Sequence, residues 1–425
     1  MNYSQAIAYI HGTYKFGRKL GLNQITTLLA YMDNPHKALE VIHVAGTNGK
    51  GSTSSYLALM LQEAGYRVGL FSSPFLQVFN ERIRLNGQNI DNESLGEITG
   101  FVKEKVDLML AEGFDHPTEF EVVTAIAFEY YRRLKAQIVV LEVGMGGRLD
   151  STNVIDNPLV SVITPIAMDH MEYLGETLGA IASEKAGIIK AGRPVTVSFQ
   201  EPDALKVIQE KAHREQSPIK LLDSRDIEVE RETLRGSRFR FKGKTYEIGL
   251  LGTHQIFNAA LSLLAAETLE EYSDFVIPEA AKVEGLKKTR WPGRMEIIGR
   301  RPLVIIDGAH NQQGAQSLAK TLGSLFRGKR IIGLIGILAD KDVRSILDPV
   351  MPLLDEVVLT EPHSPRRMSH GELAGIVAGY GIPQEGYAGI DEAFIAAKNK
   401  AGKEDVVIAF GSLYMIGEVR SLFVE

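Results

Sequence analysis

The segment Val41-Ile-His-Val-Ala-Gly-Thr-Asn-Gly-Lys-Gly-Ser52 joins a β-branched run to a glycine-rich turn and then to the start of a helix. In such a turn glycines let backbone N–H groups approach phosphate oxygens, and the helix N-terminus adds partial positive charge. Lys50 would then reach the β- and γ-phosphates of a nucleotide. The segment departs from the standard phosphate loop, with Val44 where that motif has glycine and Gly51 where it has Ser or Thr. A glycine-rich turn carrying a surface lysine is the alternative.

A second group of residues sits where strands should end. Short β-branched runs alternate with helical patterns, which predicts a mostly parallel α/β sheet. The expected strands are Val41–Ala45, Arg67–Phe71, Ile138–Val143 and Leu159–Thr164. Ser73 follows the second, Glu142 ends the third and His170 lies just beyond the fourth. In open α/β sheets ligands bind outside the carboxyl ends of the strands, so all three should gather where the phosphate loop opens. Magnesium prefers oxygen ligands, one or two carboxylates with phosphate oxygens and waters, and histidine is a less common partner for it. A turn serine, a solvated edge glutamate and a hydrogen-bonded structural histidine are the alternatives.

The elements that must hold these residues are legible in outline. Thr118 and Glu121 read as a capping box, followed by Phe120, Val123, Ala127, Tyr130 and Leu134 on one helical face. From Ile219 to Leu250 polar stretches such as RFRFKGKTYEIG read as antiparallel strands, and a helix is expected around Asn258–Thr268. A second α/β series begins near Trp291–Gly299, with strands at Leu303–Asp307, Ile331–Gly336, Glu356–Thr360 and Asp405–Phe410. The chain has 425 residues, more than the ~250–300 that one core usually serves. Two domains are therefore expected, 1–293 and 294–425, the first an ATP-binding sheet domain and the second Rossmann-like.

Composition narrows the functional classes. Hydrophobic residues at 44% and charged residues at 24% suit an ordinary folded protein. A net charge of -6 gives no reason to expect nucleic acid or an anionic membrane, so an anionic substrate must be drawn by local charge. The absence of cysteine excludes disulfides, thiolate zinc sites and a cysteine nucleophile. The start MNYSQAIAYIHG lacks the pattern of a signal peptide, and no apolar run approaches the ~18 residues of a membrane span. The expectation is a cytoplasmic protein, a monomer acting on small molecules.

GTNGKGS resembles the Mur ligase superfamily and, within it, the folylpolyglutamate synthases. The resemblance continues through SSPFLQVFNERIRLNG, LEVGMGGRLDSTNV, DHMEYLG, EKAGIIK, WPGRMEII, DGAHN and FGSLY, nearly the whole chain. It implies an ATP-dependent ligase that joins L-glutamate to a folate-type carboxylate through an acyl phosphate, with the intermediate shielded from water by domain closure. The GGRLDSTN block looks like bacterial enzymes that often also make dihydrofolate from dihydropteroate.

The resemblance also assigns residues. It implies Thr47, Asn48, Gly49, Lys50, Gly51 and Ser52 on the phosphates, and Ser73, Glu142 and His170 as magnesium ligands. It implies a carbamylated Lys185 orienting a second magnesium, where an exposed helical lysine is the alternative, and it allows for a monovalent cation. Lys50, Lys185 and His170 are thus the catalytic candidates. Asn258 and Arg294 would contact ATP, and Asp307 and His310 would handle nucleotide; Gly411 and Ser412 close the last strand and would either face the same cleft or form a simple turn. Pro74, Phe75, Thr118, Phe120 and Asp150 would line the pterin side, although Phe75 and Phe120 could be core and Asp150 a turn cap. A cell-wall Mur ligase is disfavoured because only about 45 residues precede the phosphate loop, leaving no room for a UDP-sugar domain. A nucleotide-binding switch would need neither the strand-end ligands nor DGAHN.

Overall fold

The computed structural model describes residues 1–17 and 21–423. They form two packed units, residues 1–227 with 257–289, and residues 228–256 with those from 290 onward. The first is built on β1 (Val41–Ala45), β2 (Val68–Phe71), β3 (Ile83–Leu85), β4 (Gln88–Asn89), β5 (Ile138–Glu142), β6 (Val160–Ile163), β7 (Val195–Val197) and β8 (Ile219–Leu221). Their order is β4-β3-β2-β5-β1-β6-β7-β8. Every pair from β2 to β8 is parallel, and β3 and β4 add an antiparallel rim.

β1, β2, β5 and β6 are buried along their whole length. Their runs are accordingly apolar without alternation, as in parallel strands covered on both faces. From β1 the chain proceeds toward β2, whereas from β6 it proceeds toward β7. The crevice between the ends of β1 and β6 is therefore the topological switch point, where ligands of such sheets bind.

The helix after the phosphate loop, Lys50–Glu63, is unusual in being buried nearly all round, through Ser52, Thr53, Ser54, Ser55, Tyr56 and Leu57 among others. Small hydroxyl residues let other elements approach it closely. Ser262 in the helix Thr253–Tyr272 donates to Thr53 O at 3.2 Å. Gly285 in the helix Glu279–Lys288 lies so near Met60 that a Cβ there would stand 2.6 Å from backbone N and Cα. The capping box is present: Glu121 accepts from Thr118 N–H at 2.7 Å and Thr118 Oγ1 accepts from Glu121 N–H at 3.4 Å, opening the helix Glu119–Arg133.

The second unit holds a three-stranded sheet of β9 (Ile227–Thr233), β10 (Gly236–Phe241) and β11 (Lys244–Ile248), with β10 and β11 antiparallel. It also holds β12 (Glu296–Arg300), β13 (Leu303–Ile306), β14 (Ile331–Ile335), β15 (Glu356–Leu359), β16 (Gln384–Gly386) and β17 (Val406–Phe410), in the order β12-β13-β17-β14-β15-β16. All its pairs are parallel except β12 with β13. The α/β class with a mostly parallel sheet, an antiparallel section and a second α/β sheet is as expected.

One boundary differs. The antiparallel section starts at Ile227 and not at Ile219, because Ile219–Leu221 pairs parallel with β7 as the last strand of the first sheet. The helix Pro202–Arg214 intervenes between β7 and β8, and such a crossover returns the chain parallel. No described helix is long and apolar enough to cross a membrane.

The Gly285 contact predicts a stability effect. Gly285→Ala forces a methyl against backbone that has no room to give, and should destabilise by about 1–3 kcal/mol. Gly323, inside the helix Gln312–Leu325, has nothing within 4 Å of an added Cβ. Gly323→Ala should be neutral or stabilising by up to about 1 kcal/mol. Thermal melts followed by circular dichroism compare the two, and a Gly285→Ala protein that melts like wild type removes the packing argument.

Candidate active site

β1 ends at Ala45 and the chain turns through Gly46 (φ +148°) and Gly49 (φ +86°) into the helix at Lys50. Thr47 N–H and Asn48 N–H donate to Pro165 O at 2.9 and 3.3 Å, and the Thr47 hydroxyl exchanges 3.1 Å bonds with Ala167 O and N–H. These two residues therefore brace the loop against the segment after β6. The anion-binding donors left to the turn are those of the helix start, Lys50, Gly51 and Ser52, whose N–H groups have no place in the helical ladder and whose N-cap, Gly49, has no side chain. Ser52 is buried. Asn258 is buried with its carboxamide on Gly49, where a Cβ would lie 2.5 Å from its Oδ1.

Two lysines converge on the turn. Lys50 Nζ donates to Gly46 O at 3.2 Å and Thr47 O at 3.1 Å, and Lys185 Nζ donates to the same Gly46 O at 2.8 Å. Lys185 is only 4% exposed, so it is not the surface lysine that a helical position would suggest. Burial first, and then the charge of Lys50, pull its pKa down to about 7, against the opposing pull of Asp169 and Asp150. The segment 144–150 clasps its helix, Leu178–Ala186. Gly147 lies where a Cβ would be 2.9 Å from Lys185 O, and Arg148 N–H donates to Glu184 O at 2.7 Å.

Glu142 closes β5 beside Val44 of β1 and is 4% exposed. Ser73, two residues past β2, donates its N–H to Glu142 Oε2 at 3.4 Å, so these two candidates meet. His170 lies past β6, in the left-handed conformation (φ +52°), its N–H donating to Asp169 Oδ1 at 2.9 Å. Among the described residues no cluster of three or more His, Asp or Glu is arranged to hold a metal. Ser73 and Glu142 supply a hydroxyl and one carboxylate at the ends of the adjacent β2 and β5, and His170 an imidazole beyond β6, on the other side of β1. That set suits a magnesium ion whose remaining ligands are phosphate oxygens and waters.

The pterin-side candidates divide. Thr118 is engaged in the capping box, its hydroxyl donating to Glu121 Oε2 at 2.8 Å. Asp150 is buried and caps the turn Ser151–Val154: Oδ1 accepts from Thr152 N–H and hydroxyl at 3.0 and 2.6 Å, and Oδ2 accepts from Met145 N–H at 2.9 Å. Burial raises its pKa against those hydrogen bonds. Pro74 is exposed. Phe75 packs on Phe79 at 5.9 Å with the Arg82 guanidinium 5.2 Å from its ring, and Phe120 packs on Phe71 at 5.9 Å, both at the margin of the core.

In the second unit, Asp307 and His310 follow β13 and Ser412 follows the adjacent β17, so they share one sheet edge. β12 runs antiparallel to β13, which brings Arg294, just before β12, to that same edge, where its guanidinium overlies Gly308. Asp307 accepts from Met295 N–H and Ala309 N–H at 2.8 Å each. Burial raises its pKa, opposed by Arg294. His310 Nδ1 pairs with Gly308 O at 2.7 Å. Ser412 is 2% exposed and its Oγ has no hydrogen-bond partner among the described residues, although it heads the helix Leu413–Ser421.

Two residues escaped the sequence reading. Asp169 holds the His170 backbone and faces Lys185; a carboxylate directly before a candidate ligand was its signal. His254 has its pKa lowered to about 4 by burial and then by Arg294, and its Nδ1 is buried without a partner. Nothing but its place four residues before Asn258 marked it.

The Mur ligase middle domain matches residues 44–266, and the Mur ligase glutamate ligase domain matches residues 293–413. A dihydrofolate synthase/folylpolyglutamate synthase of Bacillus subtilis is 39% identical over 427 residues, 98% of each chain. A Mycobacterium tuberculosis folylpolyglutamate synthase complexed with ADP and AMPPCP superposes with a TM-score of 0.90 at 29% identity, covering 100% of this chain and 99% of that one. E. coli FolC in complex with DHPP and ADP superposes at 0.87 with 28% identity, covering 99% and 97%. The chain belongs to the Mur ligase superfamily and, within it, to the folylpolyglutamate and dihydrofolate synthase family.

Proposed function

We propose that this chain is an ATP-dependent ligase that forms an amide between the carboxylate of a reduced folate and L-glutamate through an acyl phosphate, and that it also accepts dihydropteroate. The observation that carries the reading is the meeting of Lys50 and Lys185 on Gly46 O at the mouth of a helix N-terminus, one strand from the buried Glu142. That is a site built to gather anions. Its relatives' complexes with ADP, AMPPCP and DHPP support nucleotide and pterin-type occupants.

Transferring a phosphoryl group to a carboxylate brings two anions together, and oriented positive charge offsets their repulsion. Lys50 and the N–H groups of Gly51 and Ser52 would hold the phosphates, and Ser73, Glu142 and His170 would hold magnesium. Magnesium, when bound, supplies further neutralisation of the phosphate charge. The carboxylate oxygen attacks the γ-phosphorus, and the bond to the β-bridging oxygen breaks with ADP leaving. The glutamate amine, free pKa ~8, attacks the acyl carbon once it has lost its proton. Phosphate departs as the amide forms.

Arg294, Asp307 and His310 are proposed for nucleotide, and Asn258 for holding the phosphate turn. Ser412, with a buried hydroxyl that lacks a partner, is proposed for substrate. Phe75, Phe120 and Pro74 are the proposed pterin contacts; Thr118 and Asp150 would shape that region as caps. The compartment proposed is the cytoplasm and the working form a monomer, with a monovalent cation as a further proposed component.

Lys185 is proposed to act as a carbamate. Its amine would attack carbon dioxide, forming a C–N bond and releasing a proton to solvent, and the resulting anion would sit beside Lys50. Only the neutral amine reacts, and a pKa lowered from 10.5 to about 7 makes it available near neutrality. Above about pH 7 the amine is mostly neutral, and below it the unreactive ammonium dominates. Lys185→Ala should be inactive and partly restored by short carboxylic acids, whereas an Ala variant with full turnover ends the proposal.

Glu142→Gln and His170→Ala should each raise the magnesium concentration needed for half-maximal rate by at least about tenfold, since even outer-sphere changes have effects of that size. Two variants with unaltered magnesium dependence would remove the strand-end assignment. The test of function offers the protein ATP, magnesium and L-glutamate with either dihydropteroate or a reduced folate monoglutamate, and follows phosphate release. Release should require both organic substrates and occur with either carboxylate. Elongation without dihydropteroate use leaves a monofunctional polyglutamate synthase. Failure of both, with activity on a UDP-linked muramyl substrate, overturns the reading.

A further inference from the structure

β2 and β3 pair antiparallel, yet residues 72–82 between them far exceed the ~2–5 of an ordinary hairpin connection, and a loop of that length needs something to order it. Ser72 N–H donates to Arg82 O at 3.0 Å and closes the base of the loop. Within it, Glu81 accepts from three successive backbone donors. Oε2 takes Leu76 N–H at 2.8 Å, and Oε1 takes Gln77 N–H and Val78 N–H at 3.1 Å each. None of these three residues lies in a helix or strand, so the carboxylate supplies the acceptors that a ladder would otherwise give.

The residues on either side of that trio are site candidates or bear on them. Ser73 reaches Glu142 through its N–H, and Phe75 directly precedes Leu76. Arg82, the neighbour of Glu81, sets its guanidinium 5.2 Å from the Phe75 ring and 5.6 Å from that of Phe79. On β3, Arg84 has its pKa lowered by burial, and Glu81, then Tyr131 and Glu142, oppose this. One cation thus stands between the carboxylate that folds the loop and the carboxylate that Ser73 meets.

The residue type follows from the donors. A carboxylate offers about four acceptor positions and no donor, and its bonds to N–H groups are roughly twice as strong as neutral ones. An amide in its place keeps a single oxygen and turns an NH2 group toward a backbone N–H.

We propose that Glu81 is a positioning residue for ligation: by gathering Leu76, Gln77 and Val78 N–H it folds the loop so that Ser73 and Phe75 are presented together. The proposal rests on the reading of Ser73 as a magnesium ligand and of Phe75 as a pterin contact, and adds the group that holds both in place.

The experiment compares Glu81→Gln with wild type in ligation of a reduced folate monoglutamate, and in calorimetry with ADP in the absence of magnesium. KM for the folate should rise about tenfold, as for the loss of one charge-assisted hydrogen bond, and the magnesium needed for half-maximal rate should rise with it. The kcat at saturation of both should stay within about twofold, because binding energy is lost and not chemistry. ADP affinity should stay as in wild type, since Thr47 braces the phosphate turn from the loop after β6. Glu81→Asp, which keeps the charge but shortens the reach, should show the same split and serves should Glu81→Gln fold poorly. A lower kcat with both half-saturation values unchanged would mean only fewer folded molecules. Equal loss of ADP affinity would mean a disturbance reaching beyond the loop, and wild-type values throughout would mean that the loop orders itself without the carboxylate. Each of the three overturns the proposal. Wild-type protein that ligates neither folate nor dihydropteroate would overturn the reading beneath it, and the proposal with it.

Discussion

Two lysine side chains end on one carbonyl oxygen, Gly46 O. Burial first, and then repulsion by Lys50, lowers the pKa of Lys185, the more buried of the two. The arrangement demands rigidity, because a Gly46 carbonyl that strayed would release Lys185 and leave Lys50 only Thr47 O. Much of the surrounding structure can be read as meeting that demand. Gly46 and Gly49 adopt positive φ, which glycine reaches without the steric cost of a Cβ. Thr47 anchors the turn to the loop after β6, and Asn258 closes it from the side of the helix Thr253–Tyr272.

The same logic explains the glycine-rich blocks that surround Lys185. Gly147 and Gly187 are positions where two backbone segments pass too closely for a side chain, Gly147 against Lys185 and Gly187 against Arg148. The interlock fixes the depth at which Lys185 enters the site. Beneath it, His43 Nε2 pairs with Thr152 Oγ1 at 2.9 Å, and Thr152 donates to Asp150. Thr152 gives its hydroxyl proton to Asp150, so in the pairing with His43 the donor is His43 Nε2–H. Burial, and next Lys190, lower the pKa of His43 to about 3, which keeps it neutral and fixes that tautomer. A chain of hydrogen bonds thus runs from the centre of β1 to Met145 N–H in the clasping loop.

What the sequence disclosed follows from where the signals are local. β1, β2, β5 and β6 were found within a residue or so because fully buried parallel strands write themselves as unbroken apolar runs. The Thr118–Glu121 cap was legible because it needs only four consecutive residues. The antiparallel edge β12 was missed although its partner β13 follows after two residues, and three-residue strands such as β7 were not found, since their identity comes from neighbours distant in the chain. The burial of Lys185 was invisible for the same reason: its helical position reads as solvent-facing until the loop 144–150 is laid across it.

Arg294 illustrates how topology converts an unremarkable residue into a site candidate. By sequence it is a charged residue in a Pro- and Gly-containing stretch ahead of a strand, and ligands of parallel sheets gather after strands, not before them. β12 runs against its neighbour β13, so the start of β12 coincides with the end of β13. A residue preceding β12 therefore arrives among those following β13 and β17, beside Asp307, whose burial would be costly without the guanidinium and two N–H donors facing it. One antiparallel strand at the rim of a parallel sheet is thus enough to deliver a cation to the carboxyl edge. The chain can then assemble charge at that edge from both directions, which a purely parallel sheet does not allow.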